Sequence, residues 1–555
     1  MSPATALARN GEDLPLSRFQ RAQKPVFEAL IEARNQFGGS RPAVVDGDER
    51  IASYDDVIRA ALALGSALRR GTSTGEAVGL MLPTGLAAVV TFFALSAFGR
   101  VPTMLNFTTG SASLKSALRT AQVKRVVTAR KFIEVAKLEA VIDALSQQAE
   151  IVYLEDLREK LSPFDKAVAA LGQFMPNLVT RGTTPSILKS LGQKSTPEFV
   201  AGLMGVKPIY DQPAVILFTS GTEGEPKGVA LSHHNLLVNI EQIRSHIALY
   251  PTDIMFSPLP TFHCFGLTAG VFLPLLAGMK TVLHPTPLKP HEIVKRIKEH
   301  CATVLLATDT LISQYARAGD AGDLKSLRLA VCGAERVRDE TRQLLRRKNF
   351  IEILEGYGVT ETAPVAAVNQ PGANHAGTVG HLLPGMEARL EPVPGIHNAG
   401  RLYLKGPNIM LGYIRPENPG KIEPPEGGWH DTGDVVHIDE EGFVAIRGRL
   451  KRFAKIGGEA VSLAVVENCA SALWPDFTHA AIALPDGRKG EQIVLLTTNP
   501  DAERLDLVGW AQNHGVPEIA VPRRIIPVEA IPVLGTGKTD YVKVEAMAKT
   551  EKPVN

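Results

Sequence analysis

The stretch LFTSGTEGEPKGVALSHHNLL, Leu217 to Leu237, sets hydroxyls, glycines and one lysine behind a short apolar run. Thr219, Ser220 and Thr222 supply hydroxyl donors. Gly221, Gly224 and Gly228 let main-chain N–H groups converge on an anion. Glu223 lies inside the loop, and Lys227 adds a compact positive charge near its end. The chemistry this set suits is phosphate binding. A plain surface turn is the alternative for such a composition, but so many hydroxyls and glycines within one decapeptide favour the phosphate. The P-loop of nucleotide hydrolases is a different object. It requires Gly, four residues, then Gly-Lys-Ser/Thr, whereas Gly228 follows Lys227 here.

Four further stretches carry residues suited to a nucleotide. In EGYGVTETAP, Glu355 to Pro364, Gly356 and Gly358 flank Tyr357, which can stack on a planar base. Thr360 and Glu361 place a hydroxyl beside a carboxylate, a pair suited to a phosphate oxygen and its magnesium ion. WHDTGDVV holds Asp431 and Asp434, and a carboxylate such as Asp434 can accept from both hydroxyls of a ribose. RGRLKRFAKIGGEAVSL supplies Arg449, and PVLGTGKTD supplies Lys538. Taken singly, each has an ordinary explanation as a turn aspartate, a solvated glutamate or an exposed loop lysine.

These residues need elements to hold them. Val215–Phe218 reads as a buried strand and Leu231–Ile240 as a helix, so the phosphate loop is expected in the order strand, loop, helix. Further short apolar strands are expected at Ala77–Leu82, Arg125–Thr128, Ile151–Tyr153, Thr281–Leu283, Thr303–Ala307 and Leu327–Val331. They alternate with helical patterns, which implies mainly parallel sheets covered by helices on both faces. From Gly380 to Arg449 the texture changes to short strands and Gly/Pro turns. A basic junction at Arg447 to Lys455 follows, then a compact α+β unit. The expected fold class is α/β. A large N-terminal domain, residues 1–450, combines mainly parallel α/β sheets with a β-rich subdomain, and a small α+β C-terminal domain takes residues 451–555.

Size and composition agree. A chain of 555 residues is too long for one core. The net charge of +2 gives no reason to expect a nucleic-acid partner. The four cysteines are far apart and form no Cys-x-x-Cys, which argues against a disulfide framework or zinc site and suits a reducing cytoplasm. The N-terminus lacks the apolar stretch of a secretory signal. Two uncharged runs, Ala77–Gly99 and Ile254–Met279, are broken by proline and glycine. The first reads as a buried strand, a turn and a buried helix, and both are poor membrane spans.

Together and in this order, the motifs resemble the adenylate-forming superfamily of acyl-CoA synthetases, peptide-synthetase adenylation domains and firefly luciferase. The resemblance runs over roughly the whole chain. It implies that Thr219–Gly228 is the phosphate loop and that Gly333-Ala334-Glu335 is the adenine-side loop. Tyr357-Gly358-Val359-Thr360-Glu361 becomes the adenine, phosphate and magnesium motif. Asp434 and Arg449 match the ribose binders, Lys451 the hinge, and Lys538 the catalytic lysine of a mobile C-terminal domain. FHCFGLTAG, LEGYGVTETAPV, GRLYLKGPNIMLGY and GRLKRFAKIGGEAVSL are similar to the synthetase half of the bacterial 2-acylglycerophosphoethanolamine acyltransferase/acyl-acyl-carrier-protein synthetases. That family also carries an acyltransferase with a signature of His, four residues, then Asp. None of the 14 histidines here has an aspartate at that spacing. A stand-alone synthetase is therefore expected, without transfer to a lysophospholipid. Ser462 stands where many members of the wider superfamily have proline, and the narrower family shares the serine.

The implied reaction uses ATP and magnesium. A fatty acid carboxylate attacks the α-phosphate, pyrophosphate leaves, and the acyl-adenylate passes its acyl group to a thiol. Glu361 is expected to hold the metal, Thr360 to donate a hydrogen bond, and His263 to line the boundary between acyl and nucleotide sites. The C-terminal domain is expected to rotate about Lys451 and present Gly457 and Gly458 to a pantetheine arm. The expected acceptor is acyl carrier protein, an acidic partner for the basic junction with Arg488 and Lys489; coenzyme A is the alternative. The amphipathic segment Leu161–Leu191 suggests peripheral contact with the inner face of the membrane by a cytoplasmic enzyme, with a core-packing helix pair as the other reading. An ester hydrolase is the rival from another class, because Gly71-Thr72-Ser73-Thr74-Gly75 fits Gly-x-Ser-x-Gly. That motif needs a strand before it and a helix after, and the expected order here is the reverse.

Overall fold

The computed structural model describes residues 6–9, 15–174, 209–219, 225–349, 351–396, 398–456, 459–486, 490–514, 516–533 and 539–550. Two large sheets carry most of the chain. In one, Pro213–Thr219, Val101–Met104, Ala77–Leu80, Arg125–Thr128 and Glu150–Tyr153 run parallel, and the antiparallel strands Lys227–Ser232, Gly412–Ile414 and Ile422–Glu423 extend one edge. In the other, Ile353–Gly358, Leu329–Cys332, Val304–Ala307, Ile254–Ser257, Lys280–Leu283 and Pro42–Val45 are parallel. Val365–Val368 and His381–Leu382 close one edge antiparallel, and Ile51–Ser53 the other. A third sheet is wholly antiparallel: Ala6–Arg9, Glu387–Pro392, Gly400–Lys405, His430–Ile438 and Val444–Arg449. The α/β fold class read from the sequence is the one observed, with the β-rich texture after Gly380 supplying most of this third sheet.

A fourth sheet is built from strands that begin at Phe453, inside the basic junction. Glu459–Ser462, Phe453–Ile456, Gly490–Thr497 and His479–Asp486 are antiparallel, and Arg524–Pro527 joins Gly490–Thr497 in parallel. Its core is separate from that of the large sheets and centres on Val466, Ala481, Ile493 and Leu495. Helix Leu463–Leu473 starts from Ser462, a residue type suited to capping, yet the Ser462 side chain accepts nothing from its own helix. Its hydroxyl donates instead to the Arg447 carbonyl at 3.0 Å, back across the junction. Gly448 makes room: a Cβ there would stand 3.1 Å from Ser462 Oγ and 3.4 Å from the Phe453 ring.

The helix His233–His246 lies between the large sheets and is buried over its first three turns. Ser232 and Asn235 close a reciprocal capping box at its start. A helix buried all round must satisfy its polar side chains internally. Asn235 donates to Pro407 O, Asn239 to Val365 O and Gln242 to Pro384 O, tying the helix to strand Val365–Val368 and to the turns at Pro384 and Pro407. His233 accepts from the Val26 amide through Nδ1, and burial pushes its imidazole down to about 4.

One expected order is corrected. Between the phosphate loop and this helix lies a strand, Lys227–Ser232, paired antiparallel with Pro213–Thr219 so that Thr219 faces Lys227. The apolar run Val229-Ala230-Leu231 is buried within the sheet, and the capping box delays the helix to His233. The phosphate stretch thus runs between two antiparallel strands. Ala77–Leu80 and Leu86–Ala97 form the expected strand and buried helix, and the second uncharged run opens with a strand, Ile254–Ser257. Phe265–Phe272 is a π-helical turn. Among the described residues no helix is long and apolar enough to cross a membrane.

The segment Leu161–Leu191 is described only in part. Helix Pro163–Phe174 packs on helix Tyr54–Leu68, with Val168 and Ala169 buried. Asp165 is fully buried there and receives Ser66, Arg70 and Ser162. Burial alone would raise its carboxyl; these partners outweigh that and hold it well below the usual range. The remainder of the segment lies outside the described residues. The Gly71–Gly75 stretch follows helix Tyr54–Leu68 and precedes strand Ala77–Leu80, the reverse of a nucleophile elbow.

Candidate active site

All three large-sheet systems deliver side chains to one place. From the parallel sheet, strand Ile353–Gly358 ends in Tyr357, and the short 3₁₀ turn Thr360–Thr362 follows with Glu361. From the antiparallel sheet, Asp434 and Arg449 face each other as a cross-strand pair. Tyr357 Oη donates to Asp434 Oδ2 at 2.6 Å, and Arg449 Nε donates to Oδ1 at 3.1 Å. Asp434 is 3% exposed. Burial raises its carboxyl above the ordinary range, against the pull of Arg449 and Tyr357. The Tyr357 phenol is pushed far up by burial and by the Asp434 charge, so it stays a donor. A carboxylate braced in this way keeps lone pairs for a diol.

The second group joins the other two elements. Tyr413, on strand Gly412–Ile414, donates from Oη to Glu361 Oε1 at 2.6 Å. Its ring lies 5.9 Å from Lys227 Nζ. Strand pairing sets this up, because Tyr413 stands opposite Val229 and Ile414 opposite Gly228. The Met410 amide also donates to the Glu361 carbonyl at 2.9 Å. Lys227 at the start of its strand and Glu361 after the facing strand are therefore linked through one aromatic ring. Thr360 shares the Glu361 turn. Tyr413 sits inside a motif that the sequence offered, GRLYLKGPNIMLGY, but only the pairing with residues far upstream marks it as functional.

Beside Tyr357 opens a pocket lined almost wholly by apolar side chains. Gly333, Ala334, Gly356, Tyr357 and Gly358 form part of its wall, and Ile243, Met255, Phe265, Leu306 and Val331 continue it inward. The glycines are steric requirements. A Cβ on Gly358 would lie 1.9 Å from Pro364 O, and one on Gly333 would lie 3.1 Å from the Phe265 ring. Such a shape takes an apolar chain and leaves its polar end near Tyr357.

Several expected residues stand elsewhere. Glu335 accepts from the Thr310 amide at 3.0 Å, at the start of helix Asp309–Ala318. Its carboxylate ties the Gly333–Glu335 loop to that helix start, where the dipole favours a negative charge. Val337 N and Gly377 N both donate to Glu355, which is also paired with Arg342, so Glu355 is a second brace that the sequence did not mark. His263 is half-buried against Phe262 and is not among the residues lining the cavity. Lys451 lies in the 3₁₀ turn that leads into the fourth sheet. Ser220, Gly221, Thr222, Glu223, Gly224, Gly457, Gly458 and Lys538 lie outside the described residues, as do Arg488 and Lys489. Burial pushes the Cys264 thiol up to about 12, which removes it as a nucleophile.

Residues 31–414 match the family described as AMP-binding enzyme. The chain belongs to the AMP-binding enzyme family. This stretch takes in Thr219, Lys227, Glu361 and Tyr413 and stops short of Asp434 and Arg449. Among curated relatives of this AMP-binding enzyme are the long-chain-fatty-acid–CoA ligase of Salmonella typhimurium, 28% identical over 84% of both chains, and the medium-chain fatty-acid–CoA ligase of Escherichia coli K12, 26% identical over 89% of this chain and 86% of that one. Among solved structures, anthranilate CoA ligase AuaEII with anthranoyl-AMP superposes with a TM-score of 0.76 at 20% identity, covering 95% of this chain and 98% of that one. ATP-bound MatB from Rhodopseudomonas palustris gives 0.76 at 23%, covering 95% and 99%. The adenylate-forming resemblance read from the motifs is thus upheld as a family. The narrower likeness to carrier-protein synthetases is not what these relatives carry.

Proposed function

We propose that the protein activates a fatty acid with ATP and then forms its coenzyme A thioester. The observation that carries this reading is the apolar cavity opening beside the Tyr357–Asp434–Arg449 group. It would put an acyl carboxylate next to the α-phosphate of a nucleotide whose ribose hydroxyls donate to Asp434. The carboxylate is already ionised, so no general base is required. Its oxygen attacks phosphorus, the bond to the β-phosphate bridge breaks, and pyrophosphate leaves with both electrons. Two anions must meet, so positive charge and donors at the phosphates matter most. Thr219, Lys227 and the residues between them hold the β- and γ-phosphates in line, Thr360 donates to a phosphate oxygen, and Lys538 neutralises the developing charge.

The residues present fit a magnesium ion that arrives with the triphosphate. Glu361 is a buried carboxylate with one oxygen engaged by Tyr413, and no cluster of three or more potential ligands occurs among the described residues. One carboxylate plus phosphate oxygens is how such an ion is usually held. When bound, it supplies neutralisation of phosphate charge.

For the second step, the unit after residue 450 rotates about Lys451 and brings Gly457 and Gly458 to the acyl-adenylate. The thiolate adds to the acyl carbonyl and AMP leaves. Coenzyme A is the acceptor that the named relatives support, and the expectation of a carrier protein becomes the second reading. The basic junction favours that second reading less than its sequence does. Arg452 pairs with Glu467 at 2.9 Å and lies 3.6 Å over the Tyr541 ring, an internal structural role.

The test is product identification. Purified protein, ATP, magnesium and a series of fatty acids are supplied with coenzyme A and acyl carrier protein in competition. Acyl-CoA as the main thioester is the expected product. A dominant acyl carrier protein thioester would reinstate the second reading, and absence of fatty-acid-dependent ATP–pyrophosphate exchange would overturn the whole assignment.

A further inference from the structure

We infer that Tyr413 is a positioning residue for activation. It holds the Glu361 carboxylate in register with Lys227, so that the metal-bound triphosphate meets both at fixed separation. The inference rests on the adenylation reading above and adds a residue to it.

Three independent contacts support it. The phenol donates to Glu361 Oε1 at 2.6 Å, the length of a charge-assisted hydrogen bond. The ring lies under two cations, with Lys227 Nζ at 5.9 Å and the Arg415 guanidinium at 5.1 Å. The backbone of its strand is paired to the strand that Lys227 begins. Tyr413 thus bonds the carboxylate and sets its ring near the lysine, and these two groups enter from different sheets. The other Glu361 oxygen has no hydrogen-bond partner among the described residues and is available to a metal-bound triphosphate. Freed of Tyr413, the carboxylate would have its backbone fixed by the Met410 amide while its side chain rotated.

A purely structural tyrosine would make the same contacts, so the test must separate packing from aim. Tyr413→Phe keeps the ring, its cation contacts and the strand, and removes only the hydroxyl. Loss of such an outer partner typically costs about 10–100-fold in metal affinity or activity. Manganese is the probe. Its binding to the protein with a non-hydrolysable ATP analogue is titrated by electron paramagnetic resonance. Tyr413→Phe is expected to weaken manganese binding by about tenfold or more. It should raise the magnesium concentration giving half-maximal ATP–pyrophosphate exchange to a similar degree, with the Michaelis constant for the fatty acid unchanged. In a Glu361→Gln background the same substitution should have almost no further effect on manganese binding, since its partner is already gone. Manganese affinity in Tyr413→Phe equal to that of the parent would overturn the inference, as would full additivity with Glu361→Gln. The titration decides the matter even if the parent shows no exchange with any fatty acid, a result that would instead count against the proposed function.

Discussion

Asp434 is a single carboxylate asked to be both buried and charged. Arg449 and Tyr357 keep it so, and both are themselves expected to touch the nucleotide. Asp434→Asn should therefore raise the Michaelis constant for ATP by about 10–100-fold, as expected for lost hydrogen bonds to a charged group. The constant for the fatty acid should hardly move, and steady-state kinetics against each substrate would check this. Lys538→Ala should slow acyl-adenylate formation by about 10²–10³-fold and largely spare thioester formation from supplied acyl-adenylate; near-normal ATP–pyrophosphate exchange in that variant would refute the role. At this scale the sequence was most informative, because Tyr357, Glu361, Asp434 and Arg449 sit in compact motifs where residue type already limits the chemistry. Tyr413 was not legible for a physical reason. Its partners lie 52 residues upstream at Glu361 and far earlier still at Lys227, and only strand pairing brings them together. Glu335 shows the converse, since a carboxylate in a nucleotide motif turned out to brace a helix end.

Among the elements, all seven strands marked by short apolar runs are present within one to two residues. Several strands of the two large sheets were not marked, among them Lys227–Ser232, Val101–Met104 and Ile353–Gly358. Val229-Ala230-Leu231 fits either a strand or the first turn of the following helix, and periodicity cannot separate the two at that length. Helix His233–His246 carries its own prediction. His233 is neutral in the folded protein down to about 4, whereas an unfolded histidine protonates near 6.5. The unfolded state therefore binds more protons between those values. Stability from this group is complete above about pH 6.5 and is lost as pH falls toward 4, by about 3 kcal/mol in all. Urea unfolding at pH 7 and pH 4.5 should show a smaller pH-dependent loss in His233→Gln than in the parent. Equal losses would show that the destabilisation comes from other groups.

The whole molecule places its chemistry where three sheets meet, and that convergence could not be read from any one stretch of sequence. The order of strands in a sheet is set by contacts hundreds of residues apart. The sequence did mark the change of texture after Gly380 and the basic junction, which lie where the third and fourth sheets begin. Within that junction Arg452 turns inward onto Glu467 and Tyr541, which a run of cations could not reveal. Ser462 gives the junction a different meaning. Its one hydroxyl proton goes to Arg447, and the first turn of its own helix goes uncapped. Turning about Lys451 would part Ser462 from Arg447, and the released oxygen could then accept from the bare amides of helix Leu463–Leu473, so the cost of leaving one orientation is partly returned in the other. On the proposed rotation about Lys451 the serine would act as a two-position catch, which a proline could not be. Ser462→Asp can cap but cannot donate at neutral pH, so it should favour the turned orientation, whereas Ser462→Ala should lower the barrier without choosing a side. Distances between spin labels placed on either side of the junction would separate these outcomes, and an unchanged distribution in Ser462→Asp would mean that the catch does not hold.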